Sequence, residues 1–588
     1  MAANIPVIPD DAPFSPEQRD WLSVYLAELV GGLAPLGVST EQTSIGPRVV
    51  VMYGSQSGNA QALSEGYGER LREEGYAADV VDMTEFESVE LNQERALLIV
   101  TSTWGEGDPP DNALGFLEKI SDSAQKRLDQ LNFSVLSLGD TNYADFCETG
   151  KRFDARLEEL GGKRFAPRID CDVDFEEPSE EWFRAVMSKI GDLDLSGAPA
   201  AIVNGSAAVV KKPEGWSRKN PFPATILANR RLNGEGALKD TRHLEFSLKD
   251  SGLSYEVGDV LGVFPKNDPA LVAEMLSILP FNTKVSIEGP EGRKLSVEQA
   301  LTEAYDIRTV NRGMLKKWAE LTCHPYLHAT VEGGKDEELD ALIEGREVID
   351  LLWEFPADFN SAKDFFAVLR KLNPRLYSIA SSINKHPEEV HLTVAKVEYE
   401  THGRPRKGVA STFLCDRVRE DDTVGVFLQG AKHFKLPADS DVDIIMVGPG
   451  TGIAPFRAFL EERSVSEASG RNWLFFGNPY EATDFFYKEE LKQLQAESKL
   501  THLDVAWSRD QEQKVYVQNK MLEQGGELWR WLDRGAHFYV CGDATYMAGD
   551  VDKALHAIIS KHGKYSETEA AEFVAQMKKD HRYQRDVY

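Results

Sequence analysis

The sequence predicts an α/β protein of several domains, with two regions of alternating strands and helices on either side of a β-rich region that holds a helical insertion. Three observations carry this expectation. Apolar runs ending in small, hydroxyl-rich turns recur between residues 48 and 192 and again from about residue 441, each followed by a helical pattern. The length of 588 residues suits about three to four domains. Hydrophobic residues make up 42% and aromatics 10%, enough for several packed cores and incompatible with global disorder.

Residues 14–32 read as a helix with Ser15 as N-cap, Pro16 in the first turn, Gln18 as capping-box partner and Gly31-Gly32 as the stop. Its apolar side carries Trp21, Leu22, Tyr25, Leu26, Leu29 and Val30. So short a helix is marginal in water until that face is covered, either by its own chain or by another copy in a homo-oligomer. Residues 1–47 form this helix and a loose segment. Across 48–192 the expected strands are 48–54, 77–83, 96–103, 132–140 and, more weakly, 164–172, with helices at 60–74, 113–119 and 151–160. That spacing argues a doubly wound parallel sheet. Residues 193–219 read as a linker, rich in Gly, Ala, Ser and Val as far as 212. Residues 220–437 read as a β-barrel with a helical insertion at about 269–372. Residues 438–588 restart the β/α alternation, with strands at 443–447, 473–477, 503–507 and 537–541.

Sixty-six basic residues against 96 acidic give a net charge of −30, which repels phosphate backbones and argues against a nucleic-acid partner. Residues 48–192 hold 30 acidic and 15 basic side chains, so half of that charge lies on a quarter of the chain and suits docking onto something basic. The five cysteines include no CxxC pair, which excludes a zinc ribbon, a ferredoxin-type cluster and a c-type haem, and leaves no metal site to expect. With no disulfide framework, no secretory signal and no run of ~20 apolar residues, a reducing, cytoplasmic setting without a membrane is expected.

Four constellations carry chemistry. Gly54-Ser55-Gln56-Ser57-Gly58-Asn59-Ala60 closes a strand and opens a helix, so backbone N–H groups, hydroxyls and the helix N-terminus can hold a phosphate without Lys or Arg. Two later strand-end loops, Ser102-Thr103-Trp104-Gly105 and Leu138-Gly139-Asp140-Thr141-Asn142-Tyr143, each supply one aromatic, and together the three fit a flavin mononucleotide (FMN). A single such loop would be an ordinary turn. Second, Arg375-Leu376-Tyr377-Ser378 reads as a strand that puts Arg375 and Tyr377 on one face, and Gly408-Val409-Ala410-Ser411 opens a helix; both suit a flavin pyrophosphate, or are simply a strand and a capped helix. Third, Gly448-Pro449-Gly450-Thr451-Gly452 follows a strand and opens a helix. The strand that would end in an acid for NAD ends instead in Trp507-Ser508-Arg509, with Lys514 and Tyr516 beyond, groups that suit the 2′-phosphate of NADPH; a solvated charge run is the plain alternative. Fourth, Tyr539-Val540-Cys541-Gly542-Asp543 and Arg585-Asp586-Val587-Tyr588 fit a site in which Tyr588 lies on a flavin face, or else a docked terminus.

These motifs resemble the diflavin reductases over essentially the whole length. The 14–29 stretch, Trp473 to Pro479, Ala506 to Gln518 and the final Arg582 to Tyr588 resemble the flavoprotein components of assimilatory NADPH–sulfite reductases in particular. The resemblance implies a flavodoxin-like domain, an FAD-binding β-barrel with its helical insertion, and a ferredoxin-reductase-like NADP-binding domain. It assigns FMN to Ser55, Gln56, Ser57, Gly58, Asn59, Ala60, Ser102, Thr103, Trp104, Gly105, and the run Leu138, Gly139, Asp140, Thr141, Asn142, Tyr143, Ala144, Asp145, Phe146 and Cys147. It assigns FAD to Arg375, Leu376, Tyr377, Ser378, Thr393, Val394, Ala395, Tyr399, Gly408, Val409, Ala410, Ser411 and Tyr588. NADPH falls to Ser508, Arg509, Lys514, Val515, Tyr516, Val517, Gln518 and Asp550, and catalysis to Ser378, Cys541 and Asp586. Ser57 stands where the family more often has threonine, and Trp104 where the sulfite reductase branch has a smaller or polar residue. The resemblance implies electron transfer from NADPH through FAD and FMN to a separate siroheme/iron–sulfur hemoprotein that reduces sulfite. Another soluble or haem acceptor, or a redox-inactive scaffold, are the competing expectations.

Overall fold

The computed structural model describes residues 46–588 except 56–57, 105–106, 123, 142, 144, 200–214, 323 and 432. The helix expected at 14–32, most of the glycine- and serine-rich part of the linker, and Gln56, Ser57, Gly105, Asn142 and Ala144 lie outside the described residues.

The first sheet contains β1 (Arg48–Gly54), β2 (Ala77–Asp82), β3 (Ala96–Ser102), β4 (Asn132–Leu138), β5 (Lys163–Arg164) and β6 (Ile169–Cys171), all parallel, in the order β2-β1-β3-β4-β5, with β6 also on β4. Strand alternation divides its core. Val49 and Val51 face the helices Asn59–Glu73 and Glu176–Ile190, whereas Val50 and Met52 face Leu114–Ser121 and Glu148–Glu159. The chain reverses direction at β1/β3, which opens a crevice at the carboxyl ends of β1, β3 and β4. The single strand expected at 164–172 is instead β5 and β6; Pro167 lies between them and has no N–H to continue the ladder.

The second sheet is antiparallel. It joins β7 (Phe222–Arg231), β8 (Thr241–Ser247), β9 (Val260–Val263), β12 (Arg375–Ser378), β13 (Glu389–Ala395) and β16 (Thr423–Gln429) in the order β12-β9-β16-β7-β8-β13. An Ile379–Leu392 bridge brings its two ends together, and the hairpins β10 (Ser286–Glu288)/β11 (Lys294–Ser296) and β14 (Glu398–Thr401)/β15 (Arg404–Lys407) lie outside it. The helices from Pro269–Ile278 to Ala362–Phe366 pack on a core of their own around Trp318, Phe359 and Phe365.

The third sheet holds β17 (Ile444–Val447), β18 (Asn472–Asn478), β19 (His502–Trp507), β20 (His537–Gly542) and β21 (Tyr583–Val587), all parallel, in the order β19-β18-β17-β20-β21. β21 was not expected as a strand, because Gln584, Arg585 and Asp586 hide any apolar alternation. It aligns residue by residue on β20, with Cys541 opposite Asp586. A buried polar network fastens the barrel to this domain. Arg457, in the helix Ile453–Val465, donates to the Ala380 carbonyl at 2.6 Å and pairs with Glu461 and Glu490. Among the described residues, no helix is long and apolar enough to cross a membrane.

Candidate functional site

The Ser55 N–H donates to Asn112 Oδ1 at 2.9 Å, and Asn112 in turn donates to Asp82. Ser55 and Ser102 each keep a buried hydroxyl with no hydrogen-bond partner among the described residues. Gly58 is left-handed at φ 82° and precedes the helix Asn59–Glu73. A buried, unpartnered hydroxyl costs stability unless something binds it, so these two oxygens fit a phosphate or flavin polar edge. The second loop is pinned by a reciprocal Trp104–Asp108 backbone pair at 2.8 Å and by Thr103 N–H on the Leu138 carbonyl. The third is pinned by Thr141 on Asp172 (3.0 and 2.8 Å) and by Gly139 N–H on the Cys171 carbonyl. The two loops line one cavity of about 650 Å³, into which Trp104, Tyr143, Asp145, Phe146 and Cys147 all bring atoms.

A cavity of about 1030 Å³ runs along the barrel between Arg375, Leu376 and Tyr377 on one side and Gly408, Val409, Ala410 and Ser411 on the other. Ala395 and Tyr399 line it, as do Arg308, Thr309, Arg312 and Arg346 of the insertion, which sequence reasoning did not single out. A Cβ on Gly408 would come within 2.4 Å of Ser411 Oγ and 2.9 Å of Val397 Cβ, so a larger residue would crowd this turn. The Val394 and Val517 side chains lie in the cores of the barrel and of the third domain and line none of these cavities.

A third cavity of about 600 Å³ joins the domains. It is lined by Ser55, Ser102 and Trp104 of the first domain, by Tyr377, Ser378 and Thr393 of the barrel, and by Thr451, Asp586 and Tyr588 of the third domain. In its wall Asp586 Oδ2 accepts from Ser378 Oγ at 2.5 Å and from Cys541 Sγ at 3.7 Å. Burial pushes the Asp586 carboxyl up, against the two hydrogen bonds. The Cys541 thiol is pushed well above its usual range, first by burial and then by the Asp586 charge. The site therefore holds a neutral thiol beside a buried carboxyl group whose charge burial disfavours. A Cβ on Gly452 would sit 2.1 Å from the Cys541 carbonyl oxygen, so only glycine lets the Gly448–Gly452 loop approach β20.

Ser508 and Arg509 follow β19, their N–H groups held by the carbonyls of Asn478 and Pro479. The Arg509 and Lys514 side chains are exposed at that edge of the sheet. Nearby, Gln518 donates to Asp550 at 3.2 Å and Tyr516 caps the helix Val517–Glu523.

The first domain rests on the rest of the chain through charge. Asp82 meets His433 at 2.7 Å, Asp111 meets Arg585 at 2.9 Å, Glu87 meets Lys579 at 3.3 Å and Glu176 meets Arg218 at 3.0 Å. Arg370 reaches Asp140, Thr141 and Asp172, and Asn373 donates to Asp174. Burial alone would raise the Asp82 carboxyl, but His433 and Thr84 overcome it and hold it well below the usual carboxylate range. These pairings join positions far apart in the chain, and no local pattern signals them.

A doubly wound domain with a flavin-sized cleft, a barrel with a second such cleft, and a parallel domain with a glycine loop, all opening into one cavity, define an NADPH-dependent reductase that carries FMN and FAD. Family models match accordingly: flavodoxin over residues 51–183, an FAD binding domain over 215–413 and an oxidoreductase NAD-binding domain over 446–553. The chain is similar to the sulfite reductase (NADPH) flavoprotein alpha-component of Bacillus subtilis (strain 168), with 44% identity over 97% of this chain and 95% of that protein. The proteins of the same name from Mannheimia succiniciproducens (40%, 98% and 97%) and Shewanella sp. MR-7 (42%, 97% and 95%) are comparably similar. The chain belongs to the family of sulfite reductase (NADPH) flavoprotein alpha-components.

Proposed function

We propose that this chain passes electrons from NADPH, through FAD and then FMN, to a separate siroheme/iron–sulfur hemoprotein that reduces sulfite to sulfide in cysteine biosynthesis. The observation that carries this reading is the cavity shared by Ser55 and Ser102, Tyr377 and Ser378, and Asp586 and Tyr588, which lets both flavin clefts open into one space. NADPH supplies two electrons as a hydride, and the two flavins split them into single electrons for an iron acceptor.

The residues divide the work. Ser55, Gly58 and Asn59 hold the FMN phosphate, and Trp104 and Tyr143 flank its ring. Arg375 and the N–H groups from Gly408 to Ser411 hold the FAD pyrophosphate. Ser508, Arg509, Lys514 and Tyr516 select the 2′-phosphate. Asp586 offers a carboxyl group that would stabilise positive charge developing on a bound nicotinamide, and Ser378 and Cys541, which donate to it, orient it. The domain limits are those read from the sequence: 48–192, 220–437 and 438–588, with a linker over 193–219 and the insertion at about 269–372. Residues 14–32 bring copies of the chain together. A cytoplasmic location agrees with the free thiols of Cys147, Cys171, Cys415 and Cys541.

The test is reconstitution. Flavin-loaded protein mixed with a siroheme sulfite reductase hemoprotein should form sulfide from sulfite and NADPH, and no sulfide without this chain. Full flavin reduction by NADPH with no sulfide formed would assign the chain to another acceptor.

A further inference from the structure

The two flavin clefts exchange walls where the first domain meets the barrel. Asn373, Pro374, Arg375 and Leu376 line the cavity of about 650 Å³ in the first domain. In return Thr141 lines the cavity of about 1030 Å³ in the barrel, while its neighbour Asp140 lines the smaller one.

Arg370 locks this crossing. Its guanidinium donates to Thr141 Oγ1 and to Asp172 Oδ2, and lies 3.5 Å from Asp140 Oδ1. The Thr141 hydroxyl, which accepts from Arg370, donates in turn to Asp172 Oδ2 at 2.8 Å, and the Thr141 N–H donates to Asp172 Oδ1 at 3.0 Å. Beside them, Lys371 N–H and Asn373 Nδ2 donate to Asp174 at 3.1 and 2.7 Å. The Arg370 side chain is only 12% exposed, so little water competes for these contacts. The segment is also tied to its own domain: Asp306 N–H donates to the Arg370 carbonyl and Leu372 N–H to the Ala304 carbonyl, both at 2.9 Å, and Lys371 bridges Tyr305. Residues 138–147 and 171–174 contain no Lys or Arg, so Arg370 brings Asp140 and Asp172 a cation from the helical insertion.

We propose that Arg370 is a positioning residue of the FMN site. It fixes the loop at Asp140 and Thr141 while the first domain is docked, so FMN is held more tightly in the docked protein than in one whose first domain has left the barrel. Without this cation, Asp140 and Asp172 repel one another and the loop loses its outer support. The insertion thereby acts on both flavin sites, because Arg375 follows on the same segment. The inference rests on the reading of Leu138–Cys147 as part of the FMN cleft.

The test follows the release of each flavin from the full-length, flavin-loaded protein after dilution, with FMN and FAD in the filtrate separated by chromatography. Arg370→Met keeps the apolar stem and removes the charge-assisted contacts, so FMN should leave about five- to twentyfold faster. FAD should leave at the unaltered rate, which also shows that the barrel is folded. Arg370→Lys should recover part of the difference. Thr141→Val, made in the other domain, should also speed FMN release, and the two changes together should cost less than their product, since both break one network. Unchanged FMN release from Arg370→Met, equal acceleration of both flavins, or independent effects of the two changes would each overturn the proposal. Tyr143→Ala tests the reading beneath it: faster FMN release from that variant upholds the cleft even where Arg370→Met has no effect, and unchanged release removes the cleft and the proposal together.

Discussion

Arg585 and Asp111, 474 positions apart, meet in an ion pair with Nε 2.9 Å from Oδ2. Arg585 precedes Asp586, the carboxylate that receives Ser378 and Cys541. Asp111 precedes Asn112, which holds the Ser55 N–H. One ion pair thus ties the support of the first flavin cleft to the strand that walls the shared cavity.

Reversing one of these charges should undock the first domain. The side chains are 18% and 30% exposed, so the pair is worth about 1 kcal/mol, and Arg585→Glu should shift the docking equilibrium roughly fivefold. Small-angle scattering should report a larger radius of gyration, and flavin-to-flavin electron transfer should slow. Combining Asp111→Arg with Arg585→Asp should reverse both changes. Raising salt from 0.1 to 1 M shortens the Debye length from ~10 to ~3 Å and should act in the same direction as the single reversal.

Arg509→Ala should raise the NADPH Michaelis constant roughly ten- to a hundredfold and leave that for NADH unchanged. The lost contact is charge-assisted and worth ~1.5–3 kcal/mol, and it exists only with the 2′-phosphate. Steady-state kinetics with both nucleotides provide the check.

Asp586→Asn keeps the shape of the site and removes its capacity to carry a negative charge. Flavin reduction by NADPH, followed by stopped flow, should slow about a hundredfold, with little change in nucleotide affinity.

Acid should loosen the junction between the barrel and the third domain. His243 is pushed down to about 2 and His391 to about 3, first by burial and then by the Arg457 charge. Around them lie Glu245, Glu389, Tyr487 and Glu461. Unfolded, each histidine takes up a proton below about pH 6.5, and folded it does not. The folded state therefore binds fewer protons and loses stability as pH falls from 6.5 toward 3. At pH 5 each should cost about 2 kcal/mol. Glu461, held down to about 2 by His386 and Arg457 against its burial, adds a loss of the same sign below about pH 4.5. Thermal unfolding at pH 7.5 and 5.0 should show the drop, and His243→Gln with His391→Gln should flatten it.

Deleting residues 1–45 should leave a monomer by light scattering that still reduces cytochrome c with NADPH. An unchanged mass would place the association elsewhere.

The sequence disclosed what is contiguous in it. The strand-end positions of the loops after β1, β3, β4 and β19 and of the Gly448–Gly452 turn were legible because each strand and the turn that closes it lie within a few residues. The Asn112 support, the Arg370 contacts and the Asp82–His433 pair were not, since each joins positions dozens to hundreds of residues apart and rests on how domains meet. β21 shows no strand alternation in the sequence because Gln584 is a buried polar residue and Arg585 and Asp586 are half-buried ones, all three lining the shared cavity. The acidic excess of residues 48–192 reads in the sequence as a surface for a basic partner, whereas Asp82, Asp111 and Asp172 meet basic groups of the same chain.

The placement of β21 also bears on how the protein is made. Its residues leave the ribosome after those of every other strand described, and domains emerging earlier fold as they appear. The first domain and the barrel can take up their flavins during synthesis, whereas Asp586 and Tyr588 reach the wall of the shared cavity only once translation has passed them. Until β21 is made, a growing chain therefore lacks both the Asp586–Ser378 contact and the Tyr588 ring that wall the shared cavity.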